Sequence, residues 1–577
     1  MRRALAHRRA QPKNHRFPCG RCADDWSLER RRGTGVPPRP HRNHAPERPF
    51  RQILPAANIS SNSMVRELPR IHSRWIDWDQ YSRGSPRLPT IPEPRTGEGS
   101  RYQWAGRPAA PQRTKLCVGA AAQCLAEWDC GEIRCAFQIR PVPESNVSNP
   151  TAPVSSGDPA PYHLLAKPAG AACNLSCKYC FFLSKEALYP DDHHLMDEWT
   201  LEVYLRQLFV SSPGSEVQVA WQGGEPMLRG LRFYRRSVEL ADRFRKPHQT
   251  VRHTIQTNGV LVTDEWAAFF KANGILVGLS IDGPRKIHDT YRIDKKGRGS
   301  YDDVLRAWQC LRKHDVDVNI LCTIHAGNAA HGLECYRFFR DELGAQYIQL
   351  IPIVERASAA TIATANRGWD GPRGVDRPLY KQEGNLVTER SVPPEKFGSF
   401  LIEIFDEWVK KDVGQVFVTT FDVALGSWLG QHSLCIVAPT CGRSLALEHN
   451  GDVYSCDHYV EPGHKLGNIH EQHIATLVAS EQQRRFGSAK SDTLPAYCRK
   501  CPVLFACYGE CPRNRFLDTP GGEAGLNYLC AGYKAFFLHI RESMAVMARL
   551  IQLGRFADEI VGMTQNTKDA LLRPAIR

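Results

Sequence analysis

No stretch of this 577-residue chain is apolar for the length a membrane crossing needs, and no secretory signal is visible. A membrane-spanning receptor or transporter is therefore not expected. The 20 cysteines lack the short secreted frame of a disulfide scaffold; in so long a chain they point to a reducing, cytoplasmic setting. Lysine is scarce in the first 150 residues: of 26 basic residues there, only Lys13 and Lys115 are lysines, against 13 acidic ones. The net charge of +14 invites a nucleic-acid reading, but nearly all of it lies in that segment. Over the remaining 427 residues, 49 basic and 48 acidic side chains almost cancel, so the rest of the chain has no charge excess with which to hold a polyanion.

Sustained periodicity is also missing from the N-terminal part. Tracts such as Arg30–Pro40 are rich in Arg and Pro and cannot bury much apolar surface, so residues 1–155 are expected to be disordered or a spurious extension. A chain starting near Ser155 is expected to fold. Cys19-x2-Cys22 has no second pair nearby, and Cys117, Cys124, Cys130 and Cys135 are spaced too loosely to assign. Cys310, Cys322 and Cys335 fall within regular elements and read as packing thiols. The length allows two or three domains.

The most informative absence is a fourth cysteine. Cys173, Cys177 and Cys180 are spaced C-x3-C-x2-C on one tight loop. A structural zinc or an ordinary four-iron cluster takes four protein ligands. Three thiolates hold three irons and leave the fourth open to a small molecule. The alternatives are buried thiols or half of a zinc site.

Downstream, apolar strand-like runs alternate with helical patterns. Strands are read near His163–Ala166, in Glu216–Pro226 before its Gly-Gly break, in Val251–Gly259 before Asn-Gly, in Gly274–Gly283 up to Ser280 and Asp282, and in the apolar runs Val318–Ile324 and Tyr347–Ile353; helical patterns between them include Thr200–Leu208, Thr263–Ala272, Tyr301–Lys313 and Gly332–Leu343. This alternation predicts an α/β fold with parallel strands, a partial (β/α)6 barrel, whose chemistry sits at the carboxyl ends of the strands. Gly223-Gly224-Glu225-Pro226 lies at one such end, where two glycines let a ligand approach the backbone and Glu225 is placed to accept from an ammonium. Ser280 and Asp282 lie at another, as candidate ribose partners, and Arg292 is a candidate for a carboxylate.

The three-cysteine loop, Gly-Gly-Glu-Pro and Ser-x-Asp-Gly, in that order on successive units, resemble the radical S-adenosylmethionine superfamily. That resemblance supplies the cofactor: a reduced cluster would chelate S-adenosylmethionine and cleave it to a 5′-deoxyadenosyl radical.

The C-terminal part adds eight cysteines: Cys435, Cys441 and Cys456, then Cys498, Cys501, Cys507 and Cys511, then Cys530. Eight ligands fill two four-coordinate sites, either iron–sulfur clusters or zinc ions in a ribbon domain. Their arrangement resembles the SPASM extension of peptide-modifying radical enzymes. With Cys456-Asp457-His458-Tyr459 and Gln349–Arg356 it is similar to the anaerobic sulfatase-maturating enzymes, over roughly residues 160–545. The resemblance implies three [4Fe-4S] clusters. Cys173, Cys177 and Cys180 would hold the catalytic one, Cys435, Cys441, Cys456 and Cys511 one auxiliary cluster, and Cys498, Cys501, Cys507 and Cys530 the other. It implies Tyr179, Gly224, Ser280, Arg292 and Val354 as S-adenosylmethionine contacts and Asp457 as general base.

The expected domains are a barrel over 156–390, a SPASM domain over 391–545 and a tail over 546–577. The implied reaction oxidises a cysteine or serine of a sulfatase to Cα-formylglycine. The implied partners are the sulfatase polypeptide and an electron donor such as flavodoxin or ferredoxin; the composition leads to no membrane partner and disfavours nucleic acid, a basic N-terminal tail touching RNA being the alternative. Two other classes stay open at this point: another SPASM peptide maturase forming thioether or carbon–carbon crosslinks, and a non-enzymatic zinc-ribbon protein with a basic arm.

Overall fold

The computed structural model describes residues 161–190, 192–369 and 379–573. The readings made for the N-terminal segment and its six cysteines lie outside the described residues.

Six strands arise where the sequence places them: β1 (His163–Ala166), β2 (Glu216–Trp221), β3 (Thr250–Thr257), β4 (Leu276–Ser280), β5 (Val318–Ile324) and β6 (Tyr347–Pro352). They lie in that order in one sheet, every pair parallel, with registers such as Val219↔His253 and Leu279↔Ile320. Parallel neighbours need crossovers, and helices supply them: α1 (Glu198–Ser211), α2 (Leu231–Phe244), α3 (Asp264–Ala272), α4 (Arg285–Tyr291), α5 (Tyr301–Lys313) and α6 (Gly332–Arg337). Their starts follow capping chemistry. Asp197 accepts from the Thr200 amide at 2.7 Å at the head of α1, and Thr263 caps α3 through the Trp266 amide. Phe233, Tyr234, Ser237, Leu240 and Ala241 form the buried face of α2, at helical spacing. Trp221 at the end of β2 meets Tyr204 of α1 and Phe233 of α2 edge-on, with ring centroids 5.8 and 5.4 Å apart, and so ties both helices to the sheet.

The sheet does not stop at six strands. Phe417–Val418 adds in parallel beside β6, and Ser444–Leu447 adds in parallel beside β1. Asp452–Tyr454 and Lys465–Asn468 continue antiparallel from there, for ten strands in all. The cysteine-rich region is thus built onto the barrel's own sheet. Beyond it, helices Pro394–Lys411 and Cys530–His539 cross so closely that a Cβ on Gly398 would stand 2.8 Å from the Gly532 Cα. Helix Arg541–Gln552 buries Met544, Val546, Met547 and Leu550. Cys322 and Cys335 are fully buried packing thiols, whereas Cys310 is half-buried with its Sγ 3.8 Å from Asp264. Among the described residues no helix is long and apolar enough to cross a membrane.

Candidate active site

The three-cysteine loop leaves the end of β1 and is held from several sides. Ser176 and Lys178 amides donate to Ile293 and Tyr291 carbonyls at 2.8 and 3.0 Å, and Cys180 N donates to Cys177 O at 3.0 Å. The loop after β2 clasps it: Gly224 N donates to Gly170 O at 2.9 Å and Glu225 N to Ala172 O at 2.8 Å. A Cβ on Gly224 would come within 2.6 Å of Ala171 O and closer still to Ala172 O. The backbone that Gly224 lets approach is therefore the cysteine loop itself, where the sequence suggested a ligand. Gly223, with φ +124°, takes a conformation that favours glycine and leaves room for the Lys167 stem, whose Cβ lies 3.1 Å from where its own Cβ would be.

Glu225 departs from its expected part. It is fully buried and accepts from the Met227 and Asn258 amides at 3.0 and 2.9 Å and from the Thr257 hydroxyl at 2.8 Å. Burial pushes its carboxyl up to about 7, against those hydrogen bonds. It fastens the β2 and β3 loops and is not an open carboxylate for a ligand ammonium. Asn258 then reaches the cysteine loop, its Nδ2 lying 2.8 Å from Asn174 Oδ1 and 3.6 Å from Cys173 Sγ.

Asp282 departs in the same way. Its side chain is wholly buried and receives Arg292 through Nε at 2.9 Å and Nη2 at 3.0 Å, the Thr323 amide at 2.9 Å and the Tyr179 hydroxyl. Burial raises its carboxyl, but Arg292 and His325 outweigh that and hold it well below the usual range. Asp282 is thus turned into the barrel and does not face a ribose. Its role is to fix Arg292 and Tyr179, whose ring lies 5.5 Å under the Arg292 guanidinium and stacks on His325 with centroids 5.8 Å apart. Ser280 Oγ accepts from Gln256 Nε2 at 3.0 Å. Val354 is 1% exposed, and its carbonyl accepts from Arg513 Nη2 at 2.7 Å and the Tyr380 hydroxyl at 3.1 Å. Tyr179, Ser280 and Arg292 thus gather at the carboxyl ends of β1, β4 and the segment after α4, around the cysteine loop.

All fourteen described cysteines are free of disulfides. Eleven of them gather into three groups. The Cys173 thiol is pushed up by burial and by Glu225, Cys180 and Cys177 beside it. Cys441 rises to about 11 through burial, with Lys490 opposing and Cys435 adding. Burial raises Cys456, and Cys435 and Cys441 add to it; Cys511, 55 residues on, is raised by burial, Glu510 and Cys456. Cys498, Cys501, Cys507 and Cys530 line one cavity with Tyr533 and Lys534. Thiols crowded in this way suit a cation that takes the place of their protons, which is what iron does in a cluster. Donor type, number and grouping therefore fit one three-thiolate and two four-thiolate clusters.

The second domain meets the barrel at Asp457. Its Oδ1 forms an ion pair with Lys167 Nζ, at the end of β1, the side chains being 10% and 1% exposed. Burial raises the Asp457 carboxyl, and Lys167, His458 and Lys185 bring it below the usual range. Lys167 Nζ also stands 4.2 Å over the Phe182 ring, two residues past Cys180. Neither Lys167 nor Asn258 was singled out from the sequence; no local spacing marks them.

Residues 168–334 match the Radical SAM superfamily, and residues 435–502 match the iron–sulfur cluster-binding SPASM domain. A serine-type anaerobic sulfatase-maturating enzyme of Bacteroides thetaiotaomicron is 43% identical over 391 residues, 67% of this chain and 92% of that protein. A cysteine-type anaerobic sulfatase-maturating enzyme of Clostridium perfringens is 32% identical over 381 residues, 65% of this chain and 95% of that one. Among solved structures, native anSMEcpe with bound AdoMet superposes with a TM-score of 0.58 at 30% identity, covering 67% of this chain and 99% of the other. The same protein with AdoMet and the Cp18Cys peptide gives 0.57 at 30% identity, over 68% and 100%.

Proposed function

Since the chain belongs to the anaerobic sulfatase-maturating enzymes of the radical SAM superfamily, we propose that it oxidises the side chain of a cysteine or serine in a sulfatase polypeptide to Cα-formylglycine. Its cofactors are [4Fe-4S] clusters and S-adenosylmethionine. When bound, they supply hydrogen-atom abstraction at the substrate Cβ and a path for the second electron. The rest falls to the chain's own residues. Cys173, Cys177 and Cys180 would hold the catalytic cluster; Cys435, Cys441, Cys456 and Cys511 would hold one auxiliary cluster, and Cys498, Cys501, Cys507 and Cys530 the other. Tyr179, Ser280, Arg292 and Val354 would border S-adenosylmethionine, with Gly224 beside it through the cysteine loop that it packs against.

Asp457 takes the proton. As the substrate's S–H or O–H bond breaks, that proton passes to the carboxylate and a carbon–heteroatom double bond forms at Cβ; the auxiliary clusters, when bound by their cysteines, would supply the acceptor for the one electron released. A thioaldehyde then takes up water and releases hydrogen sulfide to give the aldehyde. The observation that carries this reading is the buried, ionised Asp457 beside Cys456, facing the end of β1. An external one-electron donor of the flavodoxin or ferredoxin kind would reduce the catalytic cluster.

The test is anaerobic incubation with S-adenosylmethionine, a reductant and peptides carrying Cys-x-Pro-x-Arg or Ser-x-Pro-x-Arg, read by mass spectrometry. Formylglycine in either peptide is the expected product; a crosslinked peptide would replace this reading with another maturase. Asp457→Asn keeps the shape of the side chain but cannot take the proton. It is expected to form 5′-deoxyadenosine while losing formylglycine by roughly a hundredfold.

A further inference from the structure

We propose that Lys167 is the positioning residue of the proton acceptor: it locks one oxygen of Asp457 so that the other is presented to the substrate hydroxyl or thiol. This rests on Asp457 being the acceptor, as proposed above.

The geometry is asymmetric. Lys167 is 1% exposed and binds Oδ1 of Asp457. Among the described residues no hydrogen bond to Oδ2 is found, although the residue is otherwise nearly buried. A carboxylate has lone pairs on both oxygens, and an acceptor works only when one of them lies within hydrogen-bond reach of the proton it removes. Without a partner at Oδ1 the side chain is free to rotate about its Cβ–Cγ bond, a torsion with broad wells. One strong charge-assisted bond removes that freedom.

The surroundings fix Lys167 in turn. Its amide continues the parallel ladder of β1 by donating to Leu447 O at 2.8 Å, in the strand Ser444–Leu447 that leads towards Cys456. Its carbonyl accepts from Gly170 N at 3.0 Å, in the turn that opens the three-cysteine loop. Its stem runs under Gly223, where any side chain would crowd it, and its ammonium lies over Phe182. The lysine therefore refers Asp457, a residue of the second domain, to the loop that carries the catalytic cysteines. A placement error of about 1 Å between acceptor and substrate costs about two orders of magnitude in rate, so this reference has consequences for turnover.

The experiment uses the reconstituted holoenzyme and a peptide deuterated at Cβ of the target residue. It reads three quantities: deuterium transferred into 5′-deoxyadenosine, formylglycine formed, and iron per chain. Lys167→Met is expected to keep its iron and to transfer deuterium within about threefold of the parent rate. Formylglycine per 5′-deoxyadenosine should fall about tenfold or more, because a proton acceptor out of place stalls the step after abstraction. Lys167→Gln, which keeps a donor on a shorter stem, guards against unfolding of the Met variant and is expected to fall less.

A parent-like ratio in whichever variant retains its iron overturns the proposal. So does a parallel fall of deuterium transfer and product, or loss of the clusters in both variants, since either leaves Lys167 a purely structural part. Asp457→Asn separates the two claims. If it makes formylglycine at the parent rate, the acceptor reading fails; if it loses product while Lys167 variants keep the parent ratio, only the Lys167 assignment fails.

Discussion

Lys185 carries a charge in a place that disfavours it. It is 3% exposed, and its Nζ donates to the Tyr380 carbonyl at 2.9 Å. Burial lowers its ammonium to about 8, with Glu461 opposing and Lys167 and Arg513 adding. A free lysine titrates near 10.4. Between these values the unfolded chain binds a proton that the folded chain does not, so this residue's contribution to stability rises with pH across about 8 to 10.4. The melting temperature of the parent minus that of Lys185→Met is therefore expected to grow as pH is raised through that window; thermal unfolding at four or five pH values checks it.

Residues of this kind explain what the sequence hid. The eleven cysteines were legible because most of their spacings are local and cluster ligands must lie close together. Lys167 was not, since its partner lies 290 residues away. Asn258 reaches Asn174 across 84 residues, and Arg513 reaches Val354 across 159. Asp282 and Glu225 were found but misread: nothing in a strand-end carboxylate tells whether it will turn to a ligand or be consumed by an arginine or a pair of amides.

At the scale of elements, strand–helix alternation displayed the barrel directly, because parallel strands impose crossover helices and their apolar runs stay continuous. The loops were legible as ends but not as partners. The Gly-Gly-Glu-Pro segment reads as a place of close approach, yet its neighbour is the backbone of residues 170–172. Gly224→Ala is accordingly expected to displace the cysteine loop. Since Ala172 O belongs to the residue before Cys173 and is backbone, the clash cannot be relieved by a side-chain rotation. The variant should lose about four of about twelve irons per chain on reconstitution and with them S-adenosylmethionine cleavage, while the auxiliary clusters remain. Iron and sulfide analysis with quantified 5′-deoxyadenosine measures this; a full iron complement with parent cleavage would refute it.

For the whole molecule, the division into barrel and cysteine-rich domain is a division of chemistry more than of structure. One ten-stranded sheet runs through both, with β1 inside it between β2 and Ser444–Leu447. A chain comprising residues 161–390 alone leaves β1 as an open parallel edge, and such edges invite aggregation. It is expected to be insoluble or to bind no iron, and co-expression with residues 391–577 is expected to restore both properties. Soluble, iron-loaded protein from the shorter chain would contradict this. The sequence could not announce the shared sheet, because four short residues at Ser444–Leu447 resemble many other apolar runs.

The same pairing sets a clock on biosynthesis. Contacts that span nearly three hundred residues form late, after the loop entropy between them has been overcome, and domains otherwise tend to fold from the N-terminus as the ribosome delivers them. Here β1 pairs with β2 within some fifty residues, but its other neighbour, Ser444–Leu447, comes nearly three hundred residues later. The turn that opens the three-cysteine loop, which follows β1 directly, thus gains its last flanking support among the late contacts of folding.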